Sequence, residues 1–114
     1  MKYYSEEETK DIRSAFEKEV LDWPEVSTKK MFGCPCYQAD SKLFSFLVTK
    51  GVVITKLDEK ERGAIDKKFP TEPFQAGKKT VQAWIRIPVE NKTDLNKTMP
   101  FVKKSYKTAL KDKK

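Results

Sequence analysis

The links between the apolar runs in the first half of the chain are so short that they permit only a reversal of direction. "LFSFLV" (Leu43 to Val48) and "VVITKL" (Val52 to Leu57) are separated by "TKG" (Thr49 to Gly51), and "ADSK" (Ala39 to Lys42) precedes them. Parallel strands need a crossover of a dozen residues or more, so strands joined this tightly run antiparallel. Phe44, Phe46 and Val48 share one side of the first run, and the second is strongly β-branched. In the TKG loop Gly51 is expected to carry a positive φ. Upstream, Ser27 to Phe32 is another strand candidate, interrupted at Gly33, with Pro35 to Ala39 continuing it after a bend. The whole stretch reads as an antiparallel meander.

Helical spacing brackets this meander. Ser5-Glu6-Glu7-Glu8 fits a capping box, in which Ser5 accepts from the Glu8 amide and Glu8 reaches back to the Ser5 amide. Ile12, Phe16 and Val20 recur every four residues with Ala15 and Trp23 alongside, and Pro24 disfavours further helix, so the first helix runs from Ser5 to about Leu21. "DEKERGAIDKKF" (Asp58 to Phe69) reads as a short second helix capped by Asp58, with Glu59 and Glu61 in its first turn. Gly63 weakens it by about 1 kcal/mol relative to alanine. Pro70 and Pro73 then exclude helix. "VQAWIRIPV" (Val81 to Val89) alternates: Val81, Ala83, Ile85, Ile87 and Val89 face one way, Gln82, Trp84 and Arg86 the other. Pro88 ends that strand or marks an edge, and a Gly77-Lys78 turn pairs it with a short strand around Phe74. Leu95, Met99, Val102, Tyr106 and Ala109 define a last helix from Asn91 to about Leu110. Pro100 either kinks it or starts a new helix capped by Thr98.

The order is therefore α-β-β-β-α-β-β-α, and the expected fold class is α+β: an antiparallel sheet of about five strands with flanking helices. At 114 residues the chain, 1–114, is expected to form one domain, long enough to bury a core without staples. No apolar run approaches the roughly 20 residues that span a bilayer, and "MKYYSEEETK" lacks the apolar core of a signal peptide. A cytoplasmic protein is expected, and two cysteines too few and too close for a disulfide framework agree with a reducing compartment.

The net charge of +7 is unevenly placed. Residues 103–114 carry six lysines against Asp112 alone, a basic C-terminal end, while the remaining 102 residues carry only +2. Histidine is absent, which removes the usual general base near neutral pH, the partner of Ser and Cys nucleophiles, and the commonest metal ligand. Catalysis is disfavoured on that ground, and no cofactor is expected.

The ordered set "KKMFGCPCYQADSKLFSFLVTKGVVITKL", "EPFQAG", "WIRIPVENKTDL" and "MPFVKKSYKTAL" resembles the TfoX N-terminal domain family, over about Lys29 to Leu110. The most specific part is Met31-Phe32-Gly33 followed by the Phe44 strand and the Gly51 hairpin. The resemblance implies a small α+β fold with an antiparallel sheet and flanking helices. The family takes its name from bacterial competence regulators in which this domain is coupled to a second, C-terminal one; that role is not carried over, and no catalytic residue is implied. Where the family pattern runs Met-Phe-Gly-Gly-aromatic-Gly, this chain has Cys34 and Cys36 at the glycine-like positions.

Those cysteines admit three readings. A structural zinc site wants about four Cys or His ligands, and two thiols without an imidazole fall short. A redox pair usually has C-x-x-C spacing at a helix N-terminus, whereas a strand or bend is expected here. The simplest reading is two small, soft side chains packed where backbones approach closely. If the strand is regular, both sulfurs point to the same side.

Trp84 and Arg86 could form an aromatic and basic surface for a base or a peptide, or Trp84 could be covered by a helix. "EPFQAGKKT" lacks the spacing of a phosphate loop. Lys103, Lys104, Lys107 and Lys111 could bind phosphates by counterion release, and equally could serve solubility and the helix dipole. The leading expectation is a non-enzymatic binding or regulatory domain acting on a protein partner or on itself. Sequence-independent nucleic-acid binding through the lysines and a thiol redox or metal role for Cys34 and Cys36 are the alternatives.

Overall fold

The computed structural model describes residues 4–31, 33–68, 72–76 and 79–111. In chain order the elements are α1 (Glu6–Val20), β1 (Val26–Met31), β2 (Cys34–Ala39), β3 (Lys42–Val48), β4 (Gly51–Ile54), α2 (Glu59–Lys68), β5 (Glu72–Ala76), β6 (Lys79–Pro88) and α3 (Lys92–Lys111). The six strands form one sheet in the order β1-β2-β3-β4-β6-β5, and every neighbouring pair is antiparallel. The expected α+β architecture is present.

The bend expected at Gly33 is a full reversal. Gly33 takes φ +76, Met31 pairs with Cys34, and the segment expected to continue across it is instead two strands. The ADSK turn puts Asp40 and Ser41 both at positive φ (51 and 68), the backbone twist that suits a two-residue hairpin. In the next hairpin the expected positive φ at Gly51 is not found; Lys50 carries it, at 55. Glycine is needed at 51 for another reason. A Cβ there would stand 3.1 Å from Cζ and Nε of Arg86, which lies across β4 and donates from Nη2 to the Thr49 carbonyl at 3.2 Å.

The expected capping box at Ser5 does not form: the Ser5 side chain makes no cap bond. Its amide donates to Thr49 Oγ1 at 2.8 Å, so Glu8 has no donor to reach back for. The reciprocal box appears at α2, where the Glu61 amide donates to Asp58 Oδ1 (2.8 Å) and the Asp58 amide to Glu61 Oε1 (3.3 Å). Helix α3 is continuous through Pro100 and is capped by Asn91, whose Oδ1 accepts from the Asp94 amide at 2.8 Å. Thr98 is therefore no cap; buried inside the helix, its hydroxyl donates to the Asp94 carbonyl at 2.9 Å. Pro100 is exposed, where water can serve the carbonyl that loses its partner.

Strand β6 ends at Pro88, as expected, and lies between β4 and the edge strand β5. Ile85, Ile87 and Val89 are buried. The expected facing of Val81, Gln82 and Ala83, and the Gly77-Lys78 turn, lie outside what the structure describes. The core joins the layers through aromatics. Phe16 of α1 meets Tyr37 of β2 at 4.8 Å, and Trp23, just past α1, meets both Phe44 of β3 (6.2 Å) and Tyr106 of α3 (4.9 Å). A bulge in β3 between its pairings with Tyr37 and Gln38 frees the Phe44 carbonyl, which accepts from the Thr55 amide (3.2 Å) and from the buried Ser105 hydroxyl of α3 (2.6 Å). Ser105 Oγ in turn accepts from the Lys56 amide at 3.0 Å, so one serine ties helix, bulge and loop together.

Candidate functional site

Residues directly opposite each other in a sheet share a face. The register therefore places Cys36, Phe46, Val53 and Arg86 in one row across β2, β3, β4 and β6. Cys34, two residues from Cys36 in a regular stretch of β2, points the same way. Tyr37, Ser45, Ile54 and Ile85 make up the opposite row, and Phe16 of α1 packs on that side. The two cysteines thus share a face and are free thiols, but both are buried (0% and 1% exposed). The Cys36 thiol donates to the Cys34 carbonyl at 3.4 Å. Burial pushes each thiol up from 9.0 to about 11; proximity to Cys36 adds to the rise at Cys34, while a Met31 backbone hydrogen bond and the Lys29 charge partly offset it at Cys36. Neutral, buried thiols are poor nucleophiles and poor metal ligands. Among the described residues no three of His, Cys, Asp and Glu come together as a metal ion would require.

Trp84 stands on this same face, its ring edge-on to Phe46 at 5.4 Å, and is half-buried. Arg86 is also half-buried, laid over Gly51 and bonded to the Thr49 carbonyl. The aromatic and cationic pair is thus largely engaged within the fold.

The lysines of α3 are placed differently. Lys103, Lys104, Lys107 and Lys111 are all exposed, at the i, i+3 and i+4 spacing that makes one contiguous patch. Lys103 Nζ lies 5.3 Å above the Trp23 ring and Lys104 Nζ 5.3 Å above Phe101, so both charged ends rest over aromatic faces while the residues stay exposed. Lys92 and Lys97 are exposed on the same arc of the helix, and sequence reasoning missed them. The continuous run through Pro100 joins them to the others; a kink or restart at Pro100 would have separated them. Asp94, the one acid of α3, is half-buried and accepts the Glu90 amide at 3.1 Å. Six exposed lysines thus run along a helix about 30 Å long with no exposed acid among them. Helix α1 instead mixes signs, with exposed Glu7, Glu8, Asp11 and Glu19 beside Lys10 and Lys18.

The family model described as the TfoX N-terminal domain matches residues 19–109. No curated protein and no solved structure gives a match.

Proposed function

The chain belongs to the TfoX N-terminal domain family, and from that premise we propose that it is a non-catalytic binding module whose contact surface is the lysine face of α3 and whose partner is nucleic acid, held through its backbone phosphates. The observation that carries this reading is the run of six exposed lysines without an exposed acid. The helix dipole accounts only for the last turn, because Lys92 stands at the first position, where a positive charge opposes the dipole. Like charges at i, i+4 cost a helix a few tenths of a kcal/mol per pair. Solubility alone is served as well by the mixed signs of α1.

A protein partner is less well supported. Protein interfaces draw their energy from buried aromatic and aliphatic anchors, and the exposed large hydrophobic among the described residues is Leu21. Phosphate binding needs only positioned cations. It is sequence-independent and weakens steeply with salt, with a slope of about −0.9 per phosphate neutralised on duplex DNA.

Fluorescence anisotropy with labelled mixed-sequence duplex DNA and single-stranded RNA, over a salt series, tests the proposal. Binding at about 50 mM salt with a log–log slope of about −3 to −5 is expected on DNA. The triple change Lys104→Gln, Lys107→Gln, Lys111→Gln should weaken it about tenfold or more and flatten the slope. No binding at low salt, or equal binding by the triple variant, would refute it.

A further inference from the structure

We infer that Trp23 is a base-stacking platform at the rim of the lysine face, and that the ligand class of that face is therefore single-stranded nucleic acid; this rests on the reading of α3 given above and extends it from phosphates to bases. Sites for single strands combine cations that track the backbone with aromatic rings on which bases stack, and they tolerate any sequence because every base has a π-face. Trp23 is an aromatic that the fold brings to the lysines, with Lys103 Nζ 5.3 Å over its ring. The neighbours of that ring differ in kind. Phe44 (6.2 Å) and Tyr106 (4.9 Å) are buried, whereas Lys103 is exposed. Trp23 itself is half-buried, so its ring is fixed against the core and reached from solvent where the ammonium covers it.

The corner that carries Trp23 is pinned on both sides. The Trp23 amide donates to the Val20 carbonyl at 3.1 Å, the Tyr106 hydroxyl to the Pro24 carbonyl at 2.7 Å, and the Asp40 amide to the Glu25 carbonyl at 3.1 Å. Glu25 is held there at φ 68, a left-handed conformation that a residue with a side chain keeps only where its surroundings impose it. The platform is thus ordered before a ligand arrives. Charge then divides the ligand. Asp22 and Glu25, both exposed, flank Trp23 in the chain, while Lys103, Lys107 and Lys111 follow one another along α3 at intervals of about 6 Å. Phosphates are drawn to the helix and kept from the corner, which leaves the ring to a base. A base that takes the place of the Lys103 ammonium also frees that ammonium for a phosphate. A duplex must unpair and unstack a base to offer one, and a single strand need not.

The test compares, at low salt, a short mixed-sequence DNA strand, an abasic strand of the same length and the corresponding duplex. In an NMR titration of the full chain, the Trp23 indole signal should shift saturably, and several times further with the base-bearing strand than with the other two, which only draw Lys103 off the ring. The base-bearing strand should bind about tenfold more tightly than the abasic one, the effect of one stacked base. Trp23→Leu, which keeps an apolar side chain against Phe44 and Tyr106, should abolish that difference and leave the affinity for duplex unchanged. Lys107→Gln should weaken binding of all three. Equal affinity for base-bearing and abasic strands, equal Trp23 shifts, or an equal loss on all three in Trp23→Leu would overturn the platform and leave the α3 reading standing. Binding of none of the three would overturn the α3 reading and the platform with it. The abasic comparison uses the unaltered chain, so it decides the matter even where Trp23→Leu fails to fold.

Discussion

At the scale of single residues, chemical reactivity and structural use separate clearly. Cys34 and Cys36 stand out in the sequence, yet the structure spends them on packing. Their raised thiols have a thermodynamic consequence. Unfolded thiols ionise from about pH 9.0 and folded ones not until about 11, so above pH 9 the unfolded state releases protons that the folded state retains. Each thiol then costs about 1.4 kcal/mol of stability per pH unit across that window. Urea midpoints measured between pH 8 and about 10.5 should fall more gently in a Cys34→Ala, Cys36→Ala variant than in the parent chain; parallel curves would show that the thiols ionise as readily folded as unfolded. Ser105 is the reverse case, inconspicuous in sequence and central in structure. Its hydroxyl donates to the Phe44 carbonyl and accepts from the Lys56 amide. Ser105→Ala leaves the half-buried Lys56 amide without this acceptor and the Phe44 carbonyl with the Thr55 amide as its remaining donor, and should cost about 1–2 kcal/mol in chemical denaturation. No local pattern announces it, because the β3 bulge that presents the carbonyl arises from pairing between strands.

At the scale of elements, the caps show what local sequence does and does not decide. Both Ser5-x-x-Glu8 and Asp58-x-x-Glu61 have the spacing of a reciprocal cap, and only the second makes it. The difference is tertiary: Thr49 takes the Ser5 amide from forty-four residues away. Replacing the caps one at a time measures this. Asp58→Ala and Asn91→Ala should each cost about 1 kcal/mol, and Ser5→Ala only a few tenths, read as shifts in urea midpoint. A Ser5→Ala loss as large as the other two would mean that its side chain caps α1 after all. Most of the element plan was legible for a physical reason. Short links force antiparallel pairing, and the four-residue recurrence of Ile12, Phe16 and Val20 needs no long-range knowledge. The reversal at Gly33 was not legible, because a glycine between two apolar runs marks a bend and a hairpin alike. Continuity through Pro100 was hidden too, since only the exposure of that turn tells whether the missing hydrogen bond can be served by water.

At the scale of the molecule, charge is sorted by surface. The sequence shows a basic C-terminal end, but only the fold shows that α3 is basic along its whole outer arc while the neighbouring α1 carries both signs. The sequence also left Trp84 and Arg86 as candidates for a surface site. The register puts Arg86 in the cysteine row and Trp84 on the same face, where the β3–β4 turn engages the first and Phe46 the second. Concentrating lysines has an energetic cost that can be read directly. Lys103, Lys107 and Lys111 form two successive i, i+4 like-charge pairs, each opposing the helix by about 0.2–0.5 kcal/mol. Lys107→Gln removes both repulsions at once and leaves Lys103 on the Trp23 ring. It should therefore raise the melting temperature at low salt, by a degree or a few for about 0.5–1 kcal/mol. The gain should vanish near 1 M salt, where the screening length falls to about 3 Å. The same variant should bind nucleic acid more weakly, so stability and affinity move in opposite directions. A variant neither more stable at low salt nor weaker in binding would show that the ladder is neither strained nor used.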